Sequence, residues 1–395
     1  MKFENKWVRG ALPAVLIHGA IGSVYAWSLF VKPISDYIGS SQSKIQFAFS
    51  LAIFFLGMSA AFGGNVVEKN IHKSSLISCI CFCSGLLLTA LAIYLKSLIL
   101  IYIGYGCLMG IGLGTGYITP VKTLMIWFKD KKGLATGISV CAFGFASSIA
   151  SPIITYLTNK VSLPISFIIL SCIYFVPMII AHFIIKKPEG WQEETNNNSN
   201  FKLRNMWKQK TFCFIWLIIF INITCGLALI STASPIMTEK NINSKTIALI
   251  VSIMGIFNGC GRLVFSAFSD KLNKRITIYK IILALSIVTS IVTKLHTNTI
   301  TIATSLIIIS ACYGAGFSCL PTLLSDIYDM KYISRIHGLS LTAWAIAGLV
   351  GNQISSITKN ITGSYNNVYV IIFAMYIIAF IITFFIRMNK QKVEV

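Results

Sequence analysis

Charge is what this chain has least of. Only 11% of its 395 residues are charged and 55% are hydrophobic, with a mean hydropathy of +0.77; a soluble domain carries about a quarter charged residues. Acids are scarcest, 12 Asp and Glu against 33 Lys and Arg, and none stands in the middle of an apolar stretch. That leaves no buried carboxylate pair for general acid–base chemistry. The sequence has no GxxxxGK[ST], HExxH or GxSxG, which argues against an ATP-driven pump and against a hydrolase. It has 11 cysteines but no CxxC, and Cys79, Cys81 and Cys83 are spaced so that a helix scatters them. They read as small buried hydrophobes rather than a disulfide framework or a zinc site. No cofactor and no metal are called for.

Long apolar runs are abundant. A hydrocarbon core of ~30 Å needs about 20 residues of helix, and twelve stretches of that order recur, at residues 8–30, 44–64, 75–95, 98–120, 133–157, 164–185, 211–237, 246–268, 276–294, 298–325, 335–358 and 366–387. The first is too long, and too rich in Gly, Tyr and Trp, for a removable signal or transit peptide. The net charge of +21 is explained by topology. Lys2, Lys6, Arg9, Lys69, Lys73, Lys129, Lys131, Lys132, Lys186, Lys187, Lys271, Lys274, Arg275 and most other basic residues fall in segments sharing one side with the termini. The other side holds Lys32, Lys44, Lys96, Lys160, Lys240, Lys245, Lys294 and Lys359. By the positive-inside rule both termini are cytoplasmic. Nucleic-acid binding is not needed to account for the basicity.

One long polar segment, KKPEGWQEETNNNSNFKLRNMWKQK (Lys186–Lys210), divides the chain near its middle. The halves echo one another. GGNVVEKNIHK (Gly63–Lys73) answers SAFSDKLNKR (Ser266–Arg275), GTGYITPVKTL answers GAGFSCLPTLL, and KGLATG answers HGLSLTA. A constant offset of about half the chain signals an internal repeat of six helices. The expected organisation is all-α and polytopic: a helical bundle over residues 1–185, a cytoplasmic connection over 186–210 and a second bundle over 211–395.

Six plus six spans, a long central loop and acid-plus-basic loops resemble the major facilitator superfamily. In those loops Glu68 and Lys69 face Asp270 and Lys271 across the repeat, as elements that move between conformations. Ile71 and Glu68 depart from the usual loop form, which has glycine and aspartate there. GSVYAWSLFVKP (Gly22–Pro33), GIGLGTGYITPVKTLMIWFKDKKGLATGI (Gly110–Ile138), NGCGRLVFSAFSD (Asn258–Asp270) and HGLSLTAWAIAGLVG (His337–Gly351) are similar to the oxalate/formate antiporter family of carboxylate carriers. These motifs fall in order across spans one, four, five, eight and eleven.

Arg262 is the residue that most needs an explanation. It lies eight positions before Asp270, ~12 Å along a helix of 1.5 Å rise, farther than its side chain comfortably snorkels. Inserting such a cation costs at least ~3 kcal/mol. Gly255, Asn258, Ser266 and Ser269 share its helical face, a stripe suited to a watery cavity. A structural pairing with a carbonyl or an acid across the bundle is the alternative. The resemblance implies that an arginine here grips the substrate carboxylate, a group its fork matches in two hydrogen bonds.

Other candidates each carry a plainer reading. Lys122 is either a second cation on the path or a snorkelling residue near Trp127. His18, Gly22, Tyr25 and Ser28 share a face of span one; His18 is the one well-buried group of a type able to titrate near neutral pH, though a lone histidine is more often a packing residue. Tyr25 could donate to a carboxylate, and the resemblance gives Tyr117 and Trp344 as aromatic cavity positions. GIGLGTG looks like a phosphate loop only superficially; inside an apolar span it reads as helix packing.

The oxalate exchanger is expected to carry a lysine in span eleven, where this chain has TAWAIAGLVG and no cation between Arg335 and Lys359. One deep charge fits a monocarboxylate such as lactate, pyruvate or formate better than a dianion. Proton-linked monocarboxylate carriers have an aspartate one turn before the arginine; here it is Asn258. The expected function is thus alternating-access transport of a small anion by a monomer in the plasma or inner membrane, an organellar membrane remaining open. Coupling to protons, exchange for a counter-anion and facilitated diffusion are all open at this stage. Oxalate-type exchange, a neutral metabolite or drug carrier, and a non-transporting sensor are the alternatives.

Overall fold

The computed structural model describes residues 5–63, 66–67, 70–128, 132–188, 203–269, 271–272, 274–328 and 333–386. All the regular structure among them is helical. Eleven helices among the described residues are long and apolar enough to cross a membrane. The helix Thr342–Thr362 has the length without the hydropathy, because much of its surface faces other helices rather than lipid.

The first span is longer and less regular than its sequence implied. A helix α1 (Leu12–Ile21) passes through a 3₁₀ stretch, Gly22–Ala26, into α2 (Ser28–Ile38). There follow α3 (Gln42–Phe62), α4 (Ile71–Tyr94), α5 (Gly110–Trp127), which a π-helical Tyr102–Met109 precedes, α6 (Lys132–Lys160) and α7 (Leu163–Ile184). The expected seventh span is broken into α8 (Lys210–Ile230) and α9 (Ala233–Glu239). Ser231 and Thr232 bond back to the carbonyls of Leu227 and Ala228 at 2.7 and 2.5 Å, competing with the backbone ladder, and Pro235 has no N–H to continue it. Then come α10 (Ser244–Ser269), α11 (Ile276–Leu295), α12 (Thr299–Ile327), α13 (Ile333–Ser340), α14 (Thr342–Thr362) and α15 (Val368–Ile382). The expected span 335–358 is therefore two helices.

Helix α10 packs most extensively on α6 and α12, and α14 on α3 and α8. Small residues make the approach possible. A Cβ on Gly144 of α6 would stand 2.6 Å from the backbone nitrogen of Gly259 on α10, and one on Gly57 of α3 would stand 2.5 Å from that of Ala345 on α14. The GIGLGTG run is packing: Cβ atoms on Gly112 and Gly114 would lie 2.4 Å from the Phe82 nitrogen and 2.2 Å from the Leu56 carbonyl oxygen.

The two ends of the bundle differ in their ties. At the end where α1 begins and α7 stops, Arg9 donates to the Ile184 carbonyl at 3.3 Å and the Trp127 indole donates to that of Lys186 at 2.8 Å. Arg275 pairs with Asp326 there. At the opposite end Lys359 pairs with Glu239 at 2.7 Å, Ser364 donates to the same carboxylate at 2.7 Å, and Lys32 pairs with Asp36. Of the loop residues singled out in the sequence, Glu68, Lys69 and Asp270 lie outside the described residues; Lys271 is described and exposed.

Candidate functional site

Arg262 occupies α10 two turns before its C-terminal end and is 0% exposed. A snorkelling arginine would run toward that nearer end. This one turns the other way, its Nε donating to Asn258 Oδ1 one turn back at 2.8 Å, as helical side chains lean. Gly314 of α12 makes the room: a Cβ there would stand 2.3 Å from the Asn258 carbonyl oxygen and 3.1 Å from Arg262 Cγ.

The guanidinium then lies between two aromatic rings, with Cζ 5.6 Å from the centre of Phe143 on α6 and 5.3 Å from that of Phe317 on α12. Ring faces carry partial negative charge and favour a cation. They give no hydrogen bonds in the plane of the fork. Nη1 and Nη2 are both buried and have no hydrogen-bond partner among the described residues. No ion pair among those residues involves Arg262. An unmatched buried charged donor costs several kcal/mol, which makes this half of the side chain the candidate contact for an anion.

The remaining walls are aromatic. Phe143 meets Tyr25 at 5.2 Å, His18 at 5.8 Å, Tyr117 at 5.9 Å and Trp344 at 6.2 Å between centroids. Trp344 also packs on Phe317 at 4.4 Å and Tyr117 at 5.1 Å. The Tyr25 and Tyr313 hydroxyls share a hydrogen bond of 2.7 Å. His18, also fully buried, sets Nδ1 2.5 Å from the Ser139 carbonyl oxygen and Nε2 3.1 Å from that of Tyr117, with Ser139 Oγ 3.0 Å from Nδ1. A void of ≈ 10 Å³ beside Asn258, lined by Tyr25, Ser147, Met254 and Ser310 among others, holds at most one water. Larger clefts, such as one of ≈ 280 Å³ by Lys32 and Asp36, lie at the far end. Volume and chemistry point to different places; the buried cation with its unmatched donors marks the candidate site.

Helices from both parts of the chain thus bring Arg262, Asn258, Tyr25, Tyr117, Trp344 and His18 together. Asn258 stands against the arginine and orients it. Lys122 is half buried on α5, five positions past Tyr117. Phe143, Phe317 and Tyr313 were missed by the sequence reading. Phe317 was within reach of it, since GAGF in the second half repeats the GTGY that holds Tyr117. Phe143 stands in CAFGFASS with nothing to separate it from an ordinary lipid-facing phenylalanine.

Comparison with known proteins agrees with this architecture. Residues 12–352 match the Major Facilitator Superfamily. The chain is 24% identical to the uncharacterized MFS-type transporter YhjX of Escherichia coli (strain K12), over 88% of this chain and 86% of that protein. It is also 24% identical to the oxalate:formate antiporter of Oxalobacter formigenes, over 98% of this chain and 93% of that one. Among solved structures, a D-xylose-proton symporter superposes with a TM-score of 0.75 at 13% identity, over 96% of this chain and 99% of that chain. A match across most of its length, the shared fold and the apolar helices make this a multi-pass membrane protein, and the chain belongs to the Major Facilitator Superfamily of transporters.

Proposed function

We propose that the chain carries a small monocarboxylate across the membrane by alternating access, with Arg262 binding the carboxylate. The observation that supports this most is the pair of buried, unmatched Nη donors on a guanidinium whose Nε is already held. Two parallel N–H donors and one positive charge fit a carboxylate in shape and sign. The likeness to an oxalate:formate antiporter favours a carboxylate as cargo and exchange as one mode of transport. A single deep cation favours a monoanion, lactate, pyruvate or formate, over a dianion. Tyr25, Tyr117 and Trp344 supply the apolar and polar walls.

Residues 1–185 and 211–395 act as the two rocking units around this midpoint, with both termini in the cytoplasm and the protein a monomer in the plasma or inner membrane. The void at the site is far smaller than a carboxylate, so binding requires the Tyr25–Tyr313 bridge to part. That couples occupancy to conformation, as a carrier must: the anion stabilises the state in which it neutralises Arg262.

Proton coupling runs through His18. Both its ring nitrogens face carbonyl oxygens, and a neutral imidazole can donate to only one of them. A second proton finds an acceptor already placed. The groups around it are Ser139 and Phe143 on α6, Tyr117 on α5 and the charge of Arg262 on α10; none is an acid, so the incoming anion is the counter-charge.

Uptake into proteoliposomes of labelled lactate, pyruvate, formate and oxalate, with and without a pH gradient, tests the reading. Saturable monocarboxylate uptake is expected, and its acceleration by a proton gradient should vanish in His18→Gln. No saturable carboxylate uptake under any gradient contradicts the proposal, in favour of a neutral-solute carrier or a sensor.

A further inference from the structure

The end of the bundle opposite the termini has few acids. Only Asp36 and Glu239 stand in segments there, and each already holds a lysine, Lys32 and Lys359 in turn. Lys96 and Lys160 stand at the same end and are exposed, and no ion pair among the described residues involves either. Lys96 has a fixed place. It follows α4 in a left-handed conformation, φ 52°, where glycine is usual. The chain bonds back there, from Lys96 N to the Ile93 carbonyl at 3.0 Å and from Ser97 N to that of Ala92 at 2.9 Å. The Lys96 ammonium lies 5.7 Å from the centre of the Tyr37 ring.

Tyr37 also lines a groove of ≈ 530 Å³ between α4 and α7. Leu87 and Leu91 of α4 and Ile165 and Ile168 of α7 form its walls and are each about half exposed, while Ala90 at its floor is 3% exposed. Leu87 lies seven positions before Tyr94, ~10 Å along the helix, so the groove runs from the two tyrosines into the apolar zone. Tyrosines at that level mark a membrane–water boundary. In a bilayer, lipid covers such walls. The first turn of α7 begins at the same mouth, beyond Ser162, and a helix N-terminus favours the same sign of charge as the lysine does. A second apolar cleft, of ≈ 490 Å³ on α14 and α15, has Lys359 next to its lining residue Thr358, but that lysine is held by Glu239. The α4–α7 groove joins apolar walls to a cation that no acid holds.

We infer that this groove binds an anionic phospholipid, with one acyl chain lying between α4 and α7 and the phosphate meeting Lys96. Lys160, two positions before Ser162, adds its charge at the mouth. A zwitterionic lipid offers the same chain but brings its own cation to the lysines, so headgroup charge decides the preference. Every residue involved belongs to the first six spans. The lipid therefore steadies that bundle without crossing to the second, and the inference does not depend on what the carrier transports.

The test is titration of the delipidated full-length protein in detergent, read by native mass spectrometry, with dioleoyl phosphatidylglycerol, dioleoyl phosphatidylcholine and inorganic phosphate. The wild type should hold phosphatidylglycerol roughly tenfold or more tighter than phosphatidylcholine, and phosphate alone should leave no adduct. K96Q should weaken phosphatidylglycerol about fivefold, the effect of one charge near a lipid surface, and K96Q/K160Q should erase the preference. L91W, which fills the groove, should weaken both lipids. Equal binding of the two lipids by the wild type overturns the inference whether or not any variant folds. So does a preference left unchanged in K96Q/K160Q, which assigns it to the basic residues at the other end of the bundle. Phosphate bound as tightly as phosphatidylglycerol overturns it too, since that marks a site for a free anion.

Discussion

Two arginines in successive stretches of the chain have opposite surroundings. Arg275, at the start of α11, pairs with Asp326 of α12, and both side chains are about a quarter exposed. Arg262, on α10, has among the described residues no acid paired with it, no exposure and two donors without a partner. The first is a tie between helix ends, where water and a carboxylate share the charge. The second is a cation held at depth by an asparagine and two ring faces. Retaining it with no partner in the bundle makes sense if the partner is cargo. Among the described residues the ionic ties stand at the ends of the bundle, and Arg262 is fully buried with no acid paired to it.

Substitutions can break this contrast in graded steps. The largest effect should come from Arg262→Gln, which removes a two-bond contact worth about 3 kcal/mol, or about 150-fold in uptake at low substrate; Arg275→Gln should stay within a few-fold of the wild type in the same assay. Next is Asn258→Asp, which gives Arg262 a built-in counter-ion one turn away. Uptake at neutral pH should drop about tenfold, equivalent to about 1.4 kcal/mol, and recover as acid protonates the new carboxylate. A flat pH profile in that variant would show that the guanidinium does not need to be free. Gly144→Val, which drives a side chain into Gly259, should lower thermal stability by about 1–3 kcal/mol through overpacking, read as a fall in Tm.

The smallest effects belong to the far end. Burial pushes the Glu239 carboxyl up, but bonds from Lys359 and Ser364 outweigh it and hold the group below its ordinary range. A depressed folded value gives stability that is present above the unfolded value and lost as pH falls through the folded one. Glu239→Gln should therefore differ from the wild type in Tm at neutral pH, and the two curves should converge below the ordinary carboxylate range. Lys32→Ala removes an exposed i,i+4 pair and should change stability by no more than about 0.5 kcal/mol.

The fold class and most of the spans were legible because hydropathy acts over whole stretches, where single errors average out. Breaks within spans were not. The interruption at Ser231–Thr232 depends on two hydroxyls choosing backbone carbonyls, and the 3₁₀ stretch at Gly22–Ala26 on how span one meets its neighbours: a Cβ on Gly22 would strike the Phe143 carbonyl oxygen. At the candidate site, Arg262 was conspicuous because charge in an apolar run is rare. Its direction was not legible, since bending back to Asn258 requires the gap left by Gly314 on another helix. Phe143 was invisible for the same reason that it is central: among 26 phenylalanines, only the fold shows which one meets five other functional candidates. Lys122 shared Arg262's rarity, and its charge alone did not separate a cation on the path from one reaching the membrane surface.

The central claim is that the unmatched end of Arg262 receives a carboxylate, and pyruvate exchange through reconstituted Arg262→Gln set against the wild type tests it most directly. With both proteins folded by the same Tm and elution criteria, saturable exchange in the wild type and background flux in the variant is the predicted result. Equal saturable flux through both would contradict it.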